Sequence, residues 1–232
     1  MAHRLLVERP LLERERVELP KEEARHLKVL RPGEGELFEL FDGRGAFRLY
    51  AHSRGELLAA GALGTAEPPR EGLTLFACVT KGSRWDWTLE KATELGATRI
   101  VPVISERTIV RLRPGERAAK RERWQRVVED AARQSDAKWL PEVCAAVDFA
   151  DALPLVRECR CLIGALTEPP SPPIGEAEGN AVFIGPEGDF TPGELAALTA
   201  VAKPVSFGPR ILRAETAAIF ALSVLSSRRG AR

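Results

Sequence analysis

Short hydrophobic runs dominate the first quarter of the chain and predict β-strands. These runs are RLLV (4–7), ELFELF (36–41), AFRLYAHS (46–53) and ELLAAG (56–61). Asp42-Gly43 and Gly45 supply a turn between the second and third runs. One segment, PKEEARHLKVLR (20–31), instead repeats its apolar residues at helical spacing. Several strands without long helices predict a small β-barrel.

Strands and helices alternate in the rest of the chain. The predicted strands cover 73–80, 99–104, 159–166, 181–185 and 204–208. The predicted helices cover 85–96, 115–136, 148–158, 192–202 and 214–228. Pro102 favours an edge position or a bulge for the second of these strands, because proline lacks a backbone donor. Such alternation is typical of a mostly parallel sheet covered by helices, and the fold class is therefore α/β.

The change from strands alone to alternating strands and helices coincides with a stretch rich in proline and glycine, GTAEPPREG (64–72). Composition of this kind marks boundaries between compact units. We therefore predict a β-rich domain over 1–66, a linker over 67–72 and an α/β domain over 73–232.

Three late strands end in unusual loops, GALTEPP (164–170), IGPEGDF (184–190) and FGPRILRAET (207–216). Two of the loops contain a Gly-Pro pair, which leaves backbone groups exposed at a fixed position. The helix after the second loop begins clearly, with Thr191 as cap, Pro192 in the first turn and Glu194 completing a capping box. Since ligands of parallel sheets lie beyond the carboxyl ends of the strands, the three loops together predict a pocket.

Composition narrows the classes of function. The chain has 232 residues, 44% of them hydrophobic and 29% charged, and no apolar run is long enough to cross a membrane, so we expect a cytoplasmic protein. The four cysteines lack the spacing of a zinc site, and we predict buried thiols and no metal. Glycine patterns for a P-loop, for dinucleotide binding and for a serine nucleophile elbow are missing too.

Charge is unevenly distributed although the net charge is +1. Residues 99–139 contain 11 Lys or Arg against 6 Asp or Glu, and residues 206–232 contain 5 against 1. Residues 140–205 contain 3 against 10. Two basic segments are compatible with a face that binds a polyanion and equally with solvated helices, and charge alone does not decide.

The pair FIGPEGDFTPGEL and FGPRILRAETAAIFALSVL resembles the C-terminal motifs of the RsmE-type methyltransferases of the SPOUT superfamily. KGSRWDWTLEKATELGATRIVPVISERT (81–108) resembles a further segment of that family, and RHLKVLRPGEGE and LFDGRGAF resemble its N-terminal domain. The resemblance spans nearly the whole chain. It implies methylation of N3 of a uridine in 16S ribosomal RNA, S-adenosylmethionine as methyl donor, a PUA-like N-terminal barrel that binds RNA, a trefoil-knotted C-terminal domain and a homodimer.

The resemblance also implies roles for individual residues. The cofactor would contact the three loops, where glycine allows the main chain to approach the adenosine, through Leu166, Thr167, Ile184, Gly185, Pro186, Glu187, Gly188, Phe207, Gly208, Ile211, Leu212, Thr216 and Ala217. Arg213 would stabilise charge that develops on the uracil when the N3 proton is lost. Glu215 would accept that proton or act electrostatically at a helix N-terminus, and the second role is favoured.

RNA would be bound by basic and polar residues of both domains, Arg4, His26, Lys28, Arg31, Lys81, Arg84, Arg107, Gln134 and Ser135. Trp85 and Trp87 are candidates for stacking on a base, although at least one should be a helix anchor in the core. The stretch RQSDAKWLPEV departs from the family pattern, because Arg133 replaces an acid and Ala137 an arginine. Two alternatives stay open: another RNA target or a ribose 2′-oxygen, and a non-catalytic RNA-binding protein of ribosome assembly.

Overall fold

The structure, a computed structural model, describes residues 2–19, 24–25, 27, 30–165 and 170–230. The chain divides into two compact units, Met1–Pro69 with Ala132–Leu140, and Arg70–Ala131 with Pro141–Arg232. Residues 132–140, which the sequence places inside the second domain, thus group with the first unit. The helix predicted over 20–31 falls largely outside the described residues.

The first unit is built on a six-stranded mixed sheet. Its strands are β1 (His3–Leu6), β2 (Arg16–Val17), β3 (Leu37–Phe41), β4 (Ala46–Ser53), β5 (Glu56–Ala59) and β6 (Gly64–Thr65), and a short helix, α1 (Arg9–Leu12), follows β1. The strand order is β1-β3-β4-β5-β2, with β6 paired to β4. Only the β1–β3 pair is parallel. The four strands predicted from hydrophobic runs are confirmed with small shifts at their ends.

Alternate residues of these strands form the core of the first unit. Phe38 and Leu40 of β3, Tyr50 of β4 and Leu57 of β5 are all fully buried. The Tyr50 hydroxyl lies 3.0–3.1 Å from three carbonyl oxygens of residues 11–14. A buried phenol requires a polar partner, so Tyr50 holds the connection after α1 against the sheet.

Residues 132–140 are attached to the β3–β4 turn by main-chain hydrogen bonds. The Gly45 amide donates to the Lys138 carbonyl at 2.9 Å, and the Leu140 amide donates to the Gly43 carbonyl at 2.9 Å. Gly45 has a φ of 96°, and a Cβ there would lie 2.6 Å from the Trp139 ring. Glycine is therefore needed at this turn for its backbone conformation and for the approach of Trp139.

The second unit contains a seven-stranded sheet in which every pair is parallel. Its strands are β7 (Thr74–Cys78), β8 (Arg99–Ile104), β9 (Glu142–Val143), β10 (Val147–Asp148), β11 (Cys161–Gly164), β12 (Ala181–Ile184) and β13 (Lys203–Val205). The order is β10-β8-β7-β12-β11-β13, with β9 also paired to β8. The helices are α2 (Ser83–Glu94), α3 (Arg117–Gln134), α4 (Phe149–Arg157), α5 (Pro192–Thr199) and α6 (Ala214–Gly230). The predicted parallel α/β architecture is confirmed.

Helices cover both faces of this sheet, so its central strands are apolar on both sides. On one face Leu75 and Val182 pack with Leu89 of α2 and Leu222 of α6. On the other face Phe76 and Phe183, whose rings stack with centroids 5.7 Å apart, pack with α4 and α5. Because the strands are parallel, β11, β12 and β13 all end at the same edge of the sheet. The three loops predicted to form a pocket begin at that edge.

Pro102 lies within β8, a strand that has neighbours on both sides. Pro102 pairs with Ala77 of β7, while β9 pairs with residues 99–100 and β10 pairs with residues 103–104. Pro102 therefore lies between the residues of β8 that pair with β9 and those that pair with β10. The sheet accommodates proline without the bulge or edge strand that the sequence suggests.

Candidate functional site

The carboxyl ends of β11, β12 and β13 border a cleft of about 600 Å³. A cavity of about 160 Å³ lies in the first unit near Val17 and Leu57. Only the larger of the two falls in the size range of about 300–1,000 Å³ that is usual for sites of small molecules and cofactors. The cleft therefore matches the pocket predicted from the three loops.

Most of the residues predicted to contact a cofactor line this cleft: Ile184, Gly185, Pro186, Glu187, Phe207, Gly208, Ile211, Leu212 and Ala217. Gly188 and Thr216 are not among the lining residues. Leu166 and Thr167 lie outside the described residues. Sequence reasoning did not select several further lining residues, namely Gly164, Ala165, Phe183, Asp189, Leu195, Ser206, Arg210 and Ala214. Most of these belong to the three loops or to the strands before them, so their position in a loop could have identified them from the sequence.

Two glycines at the cleft make room for aromatic rings. A Cβ on Gly164 would lie 2.5 Å from the Phe207 ring, and one on Gly185 would lie 2.9 Å from the Phe190 ring. Both distances are too short for non-bonded carbon atoms. Packing of the protein itself therefore requires glycine at these positions, whatever the cleft binds.

Gly208 has a different reason to be glycine. Its φ is 106°, and nothing lies within 4 Å of the position of a Cβ. Its amide donates to the Ser206 hydroxyl at 3.2 Å. The backbone conformation alone favours glycine here. Ile211, three residues later in the same loop, is 92% exposed.

The second loop is held in shape by local contacts. The Asp189 amide donates to the Pro186 carbonyl at 3.0 Å, and Asp189 itself has a positive φ of 59°. The predicted capping box is confirmed: the Glu194 amide donates to Thr191 Oγ1, and Glu194 Oε2 accepts from the Thr191 amide at 3.0 Å. The loop is thus closed by a turn at one end and by a helix cap at the other.

Charged groups of both signs surround the cleft. Arg84 Nη1 lies 3.8 Å from Glu187 Oε1, and both residues line the cleft. The Arg213 carbonyl accepts from the Ala217 amide at 2.8 Å, which places Arg213 at the start of α6. Glu215 in the first turn of α6 is only 7% exposed, and its Oε2 has no hydrogen-bond partner among the described residues. The cleft thus has three arginines in its lining, Arg84, Arg210 and Arg213, with a buried carboxylate near the start of α6.

The predicted RNA-binding residues differ in exposure and in hydrogen bonding. Arg31, Lys81, Arg84 and Gln134 are exposed, and Ser135 is half-buried with no partner for its hydroxyl among the described residues. His26 and Lys28 lie outside the described residues. The exposed members are accessible to a phosphate backbone, and their contact with RNA stays a prediction.

Arg4 and Arg107 have intramolecular partners instead. Arg4 is 8% exposed at its side chain and donates to Glu39 at 2.8 Å and to the carbonyls of Ala132 and Ala137 at 2.6 and 2.9 Å. It therefore fastens residues 132–140 to β1 and β3. Arg107 is exposed, and its guanidinium donates to carbonyl oxygens of the loop after β12.

The two tryptophans of α2 have separate environments. Trp85 is 2% exposed and packs edge-on against Trp124, with ring centroids 5.5 Å apart. Trp87 is 43% exposed. Trp85 is therefore the expected helix anchor, and Trp87 is the one accessible to a base.

Much of the positive charge of residues 99–139 is used inside the protein. Arg117 donates to the Ala146 carbonyl and to Asp148, Arg121 donates to the Val143 carbonyl, and Arg123 pairs with Asp86. These bonds tie α3 to α2, to β9 and to the segment that leads into β10. The excess of arginine in this segment is thus explained largely by internal anchoring.

The described part of the chain has neither a metal-binding cluster nor a membrane-spanning helix. It holds no group of three or more His, Cys, Asp or Glu residues that could bind a metal ion. Its helices are all too short or too polar to cross a bilayer. All four cysteines are free, and burial raises the pKa of Cys78 to about 11.

Comparison with known proteins assigns the family. Residues 66–226 match the family model of an RNA methyltransferase domain, and residues 19–58 match that of an RNA methyltransferase PUA domain. The ribosomal RNA small subunit methyltransferase E of Synechocystis sp. is 34% identical over an alignment covering 98% of this chain and 78% of that protein. The chain belongs to the ribosomal RNA small subunit methyltransferase E family.

Two solved structures of methyltransferases agree with this assignment. The enzyme from Neisseria gonorrhoeae, bound to S-adenosyl methionine, is 30% identical, with a TM-score of 0.84 and 98% of each chain covered. A methyltransferase from Legionella pneumophila in complex with the same cofactor is 28% identical, with a TM-score of 0.79 and 98% of each chain covered. The predicted fold class, a SPOUT methyltransferase domain preceded by a PUA domain, is confirmed.

Proposed function

We propose that this methyltransferase E homologue transfers a methyl group from S-adenosylmethionine to N3 of a uridine in 16S ribosomal RNA of the small subunit. The observation that carries the proposal is the cleft of about 600 Å³ at the ends of β11, β12 and β13. Similar chains crystallised with S-adenosylmethionine, and the family acts on ribosomal RNA by name. The choice of uridine N3 rests on the resemblance of the C-terminal motifs.

The lining of the cleft fits the chemistry of this cofactor. Main chain at Gly185 and Gly208, with the apolar side chains of Ile184 and Leu212, suits a flat adenine ring that needs edge hydrogen bonds. Carboxylates and guanidinium groups in the same lining suit the ammonium and carboxylate of the methionine portion. The described residues therefore fit an adenosine with a zwitterionic tail, and no metal is required by the proposal.

The residues at the start of α6 supply the polar groups for the reaction. When bound, S-adenosylmethionine would supply an electrophilic methyl group, and S-adenosylhomocysteine would be the product that leaves. Arg213 would stabilise negative charge on a uracil oxygen as the N3 proton leaves. Glu215 would act through the electric field at the helix N-terminus, its favoured role, or accept the proton. Its buried, unpartnered oxygen is compatible with either role.

RNA would approach the side of the cleft that carries exposed cations. Arg84 of α2 lines the cleft, Lys81 is exposed in the loop that precedes α2, and Trp87 presents an exposed ring on the same helix as Arg84. Arg31, Gln134 and Ser135, with His26 and Lys28, would contribute further contacts, which set affinity without reading sequence. Arg4 is the least supported of the predicted RNA contacts, because its guanidinium already donates to Glu39 and to two carbonyl oxygens.

A homodimer is part of the same proposal. Ile211 of the third loop is 92% exposed and Phe220 of α6 is 39% exposed. The Phe220 ring lies 6.0 Å from that of Phe207, a lining residue. A second copy covering these side chains would bury apolar surface and complete the cleft. The trefoil knot and the cytoplasmic location stay expectations from the resemblance and the composition.

The deciding experiment uses small ribosomal subunits that lack the modification, with isotope-labelled S-adenosylmethionine. The RNA is digested, and mass spectrometry identifies the methylated nucleoside. A single 3-methyluridine is the expected product. Another methylated base or a 2′-O-methyl product would assign a different target, and failure to bind the cofactor in calorimetry would favour the non-catalytic alternative.

A further inference from the structure

The loop after β12 has one side toward the cleft and one side toward the turn after β8. Gly185, Pro186, Glu187 and Asp189 line the cleft, whereas Gly188 does not. A Cβ on Gly188 would lie 3.4 Å from Arg107 Cβ. The side of the loop that faces away from the cleft therefore packs against Arg107.

Arg107 also makes polar contacts with this loop. Its Nη1 donates to the Gly188 carbonyl at 3.1 Å and lies 3.5 Å from the Phe190 carbonyl. Next to it, the Glu106 amide donates to Glu194 Oε1 at 2.9 Å. Charge-assisted hydrogen bonds to carbonyl oxygens are among the stronger polar contacts in proteins. The turn after β8 thus holds the loop and the start of α5 at separate points.

The turn that carries Arg107 is itself fixed. Ser105 and Thr108 are 2% and 1% exposed, and their hydroxyls lie 2.9 Å apart. The Ser105 amide donates to Thr108 Oγ1 at 2.9 Å, and Arg111 donates to the carbonyls of Ser105 and Glu106. Strands β8 and β12 are not neighbours, since β7 lies between them. Arg107 therefore extends past the end of β7 from a turn that is held by its own hydrogen bonds.

We propose that Arg107 is a positioning residue, which holds the loop 185–190 in the conformation that binds the methyl donor. This inference rests on the proposed function of the cleft. It replaces the contact with RNA that the sequence suggests for Arg107. The guanidinium is suited to the task because its Nη1 carries two N–H donors and a permanent positive charge at the end of a long side chain.

The test is calorimetric titration of S-adenosylmethionine into the full chain without RNA. We expect Arg107→Ala to raise the Kd about tenfold, equivalent to about 1.4 kcal/mol, and Arg107→Lys to recover part of the loss. In turnover assays the KM for S-adenosylmethionine should rise more than kcat falls. Arg160→Ala is the matched control, because Arg160 is an exposed arginine paired with Glu71 at the opposite end of β11.

The outcomes separate the two proposals. If the unaltered protein does not bind S-adenosylmethionine, the proposed function fails. If it binds, and Arg107→Ala binds equally well, the positioning role is wrong. Weaker RNA binding by Arg107→Ala with full recovery in Arg107→Lys, at unchanged cofactor affinity, would instead assign Arg107 to RNA. Thermal unfolding of each variant checks that a lower affinity does not reflect loss of the fold.

Discussion

The Phe190 ring occupies the space that a side chain on Gly185 would need, with its nearest carbon 2.9 Å from the position of a Cβ. Phe190 is 7% exposed and packs against Phe149 and Phe183, so the ring cannot move away without loss of these contacts. The loop beside the cleft is therefore anchored in the core below it. A substitution at Gly185 alters folding and cofactor binding together.

We expect Gly185→Ala to lower the free energy of unfolding by about 1–3 kcal/mol, because the added methyl group overpacks the site. Urea denaturation would measure the loss. Part of it should be recovered in the double variant with Phe190→Leu, whose smaller side chain leaves room. Gly193→Ala is the control: nothing lies within 4 Å of its Cβ position in α5. Equal losses at 185 and 193 would contradict the packing argument.

Replacement of the two polar residues at the start of α6 should separate catalysis from stability. Glu215→Gln should lower the free energy of unfolding by about 0.3–1 kcal/mol, since a negative charge is lost at a helix N-terminus, while kcat stays within about tenfold. Arg213→Ala should lower kcat by about 100-fold or more, if charge stabilisation at the uracil is its role. Single-turnover methylation and chemical denaturation measure the two effects. A loss of kcat of more than about 100-fold in Glu215→Gln would make Glu215 the proton acceptor.

Glu39 compensates two cations in the first unit, Arg4 and Lys138. The three side chains are 8–18% exposed, so removal of the carboxylate leaves the two poorly hydrated cations with Asp136, which is 75% exposed, as their remaining anionic partner. We expect Glu39→Gln to lower the free energy of unfolding by about 2 kcal/mol or more. Glu15→Gln is the matched control, because Glu15 pairs with Arg48 but is 80% exposed, and such pairs contribute about 0–1 kcal/mol. Similar losses in the two variants would show that the burial of Glu39 is unimportant.

Stability should fall at alkaline pH through Cys78. Burial disfavours the thiolate and raises the pKa of Cys78 to about 11, and a hydrogen bond with Ser105 opposes the shift only in part. Between about pH 9 and about pH 11 the unfolded chain loses this proton while the folded chain keeps it, so stability decreases as the pH rises. The full loss is about 3 kcal/mol at most.

Urea denaturation in reducing buffer at about pH 8 and about pH 10.5 measures this loss. Cys78→Ser removes the titrating thiol and keeps a group that can bond to Ser105, so the fall in stability should be smaller. An unchanged fall would assign it to other groups. Cys161 is a second buried thiol with a raised pKa, and it accounts for part of the decrease that remains.

Local sequence determined the elements and the place of the site. Strand periodicity, the Gly-Pro pairs and the Thr191–Glu194 capping box each act over a few residues, and the corresponding strands, loops and helix start are where the pattern indicates. The parallel order of strands also follows from their alternation with helices, and it brings the three loops to one edge of the sheet.

Long-range packing decided the roles of individual side chains. Arg4, Arg107 and Arg84 are equally basic in the sequence, yet the first is buried on Glu39, the second donates to loop carbonyls and the third lines the cleft. Likewise, nothing local distinguishes Trp85 from Trp87, or assigns residues 132–140 to the first unit. Such choices depend on which donors, acceptors and apolar surfaces meet across long stretches of chain, 35 residues for Arg4 and Glu39 and 81 for Arg107 and Gly188. Only the tertiary structure contains that information.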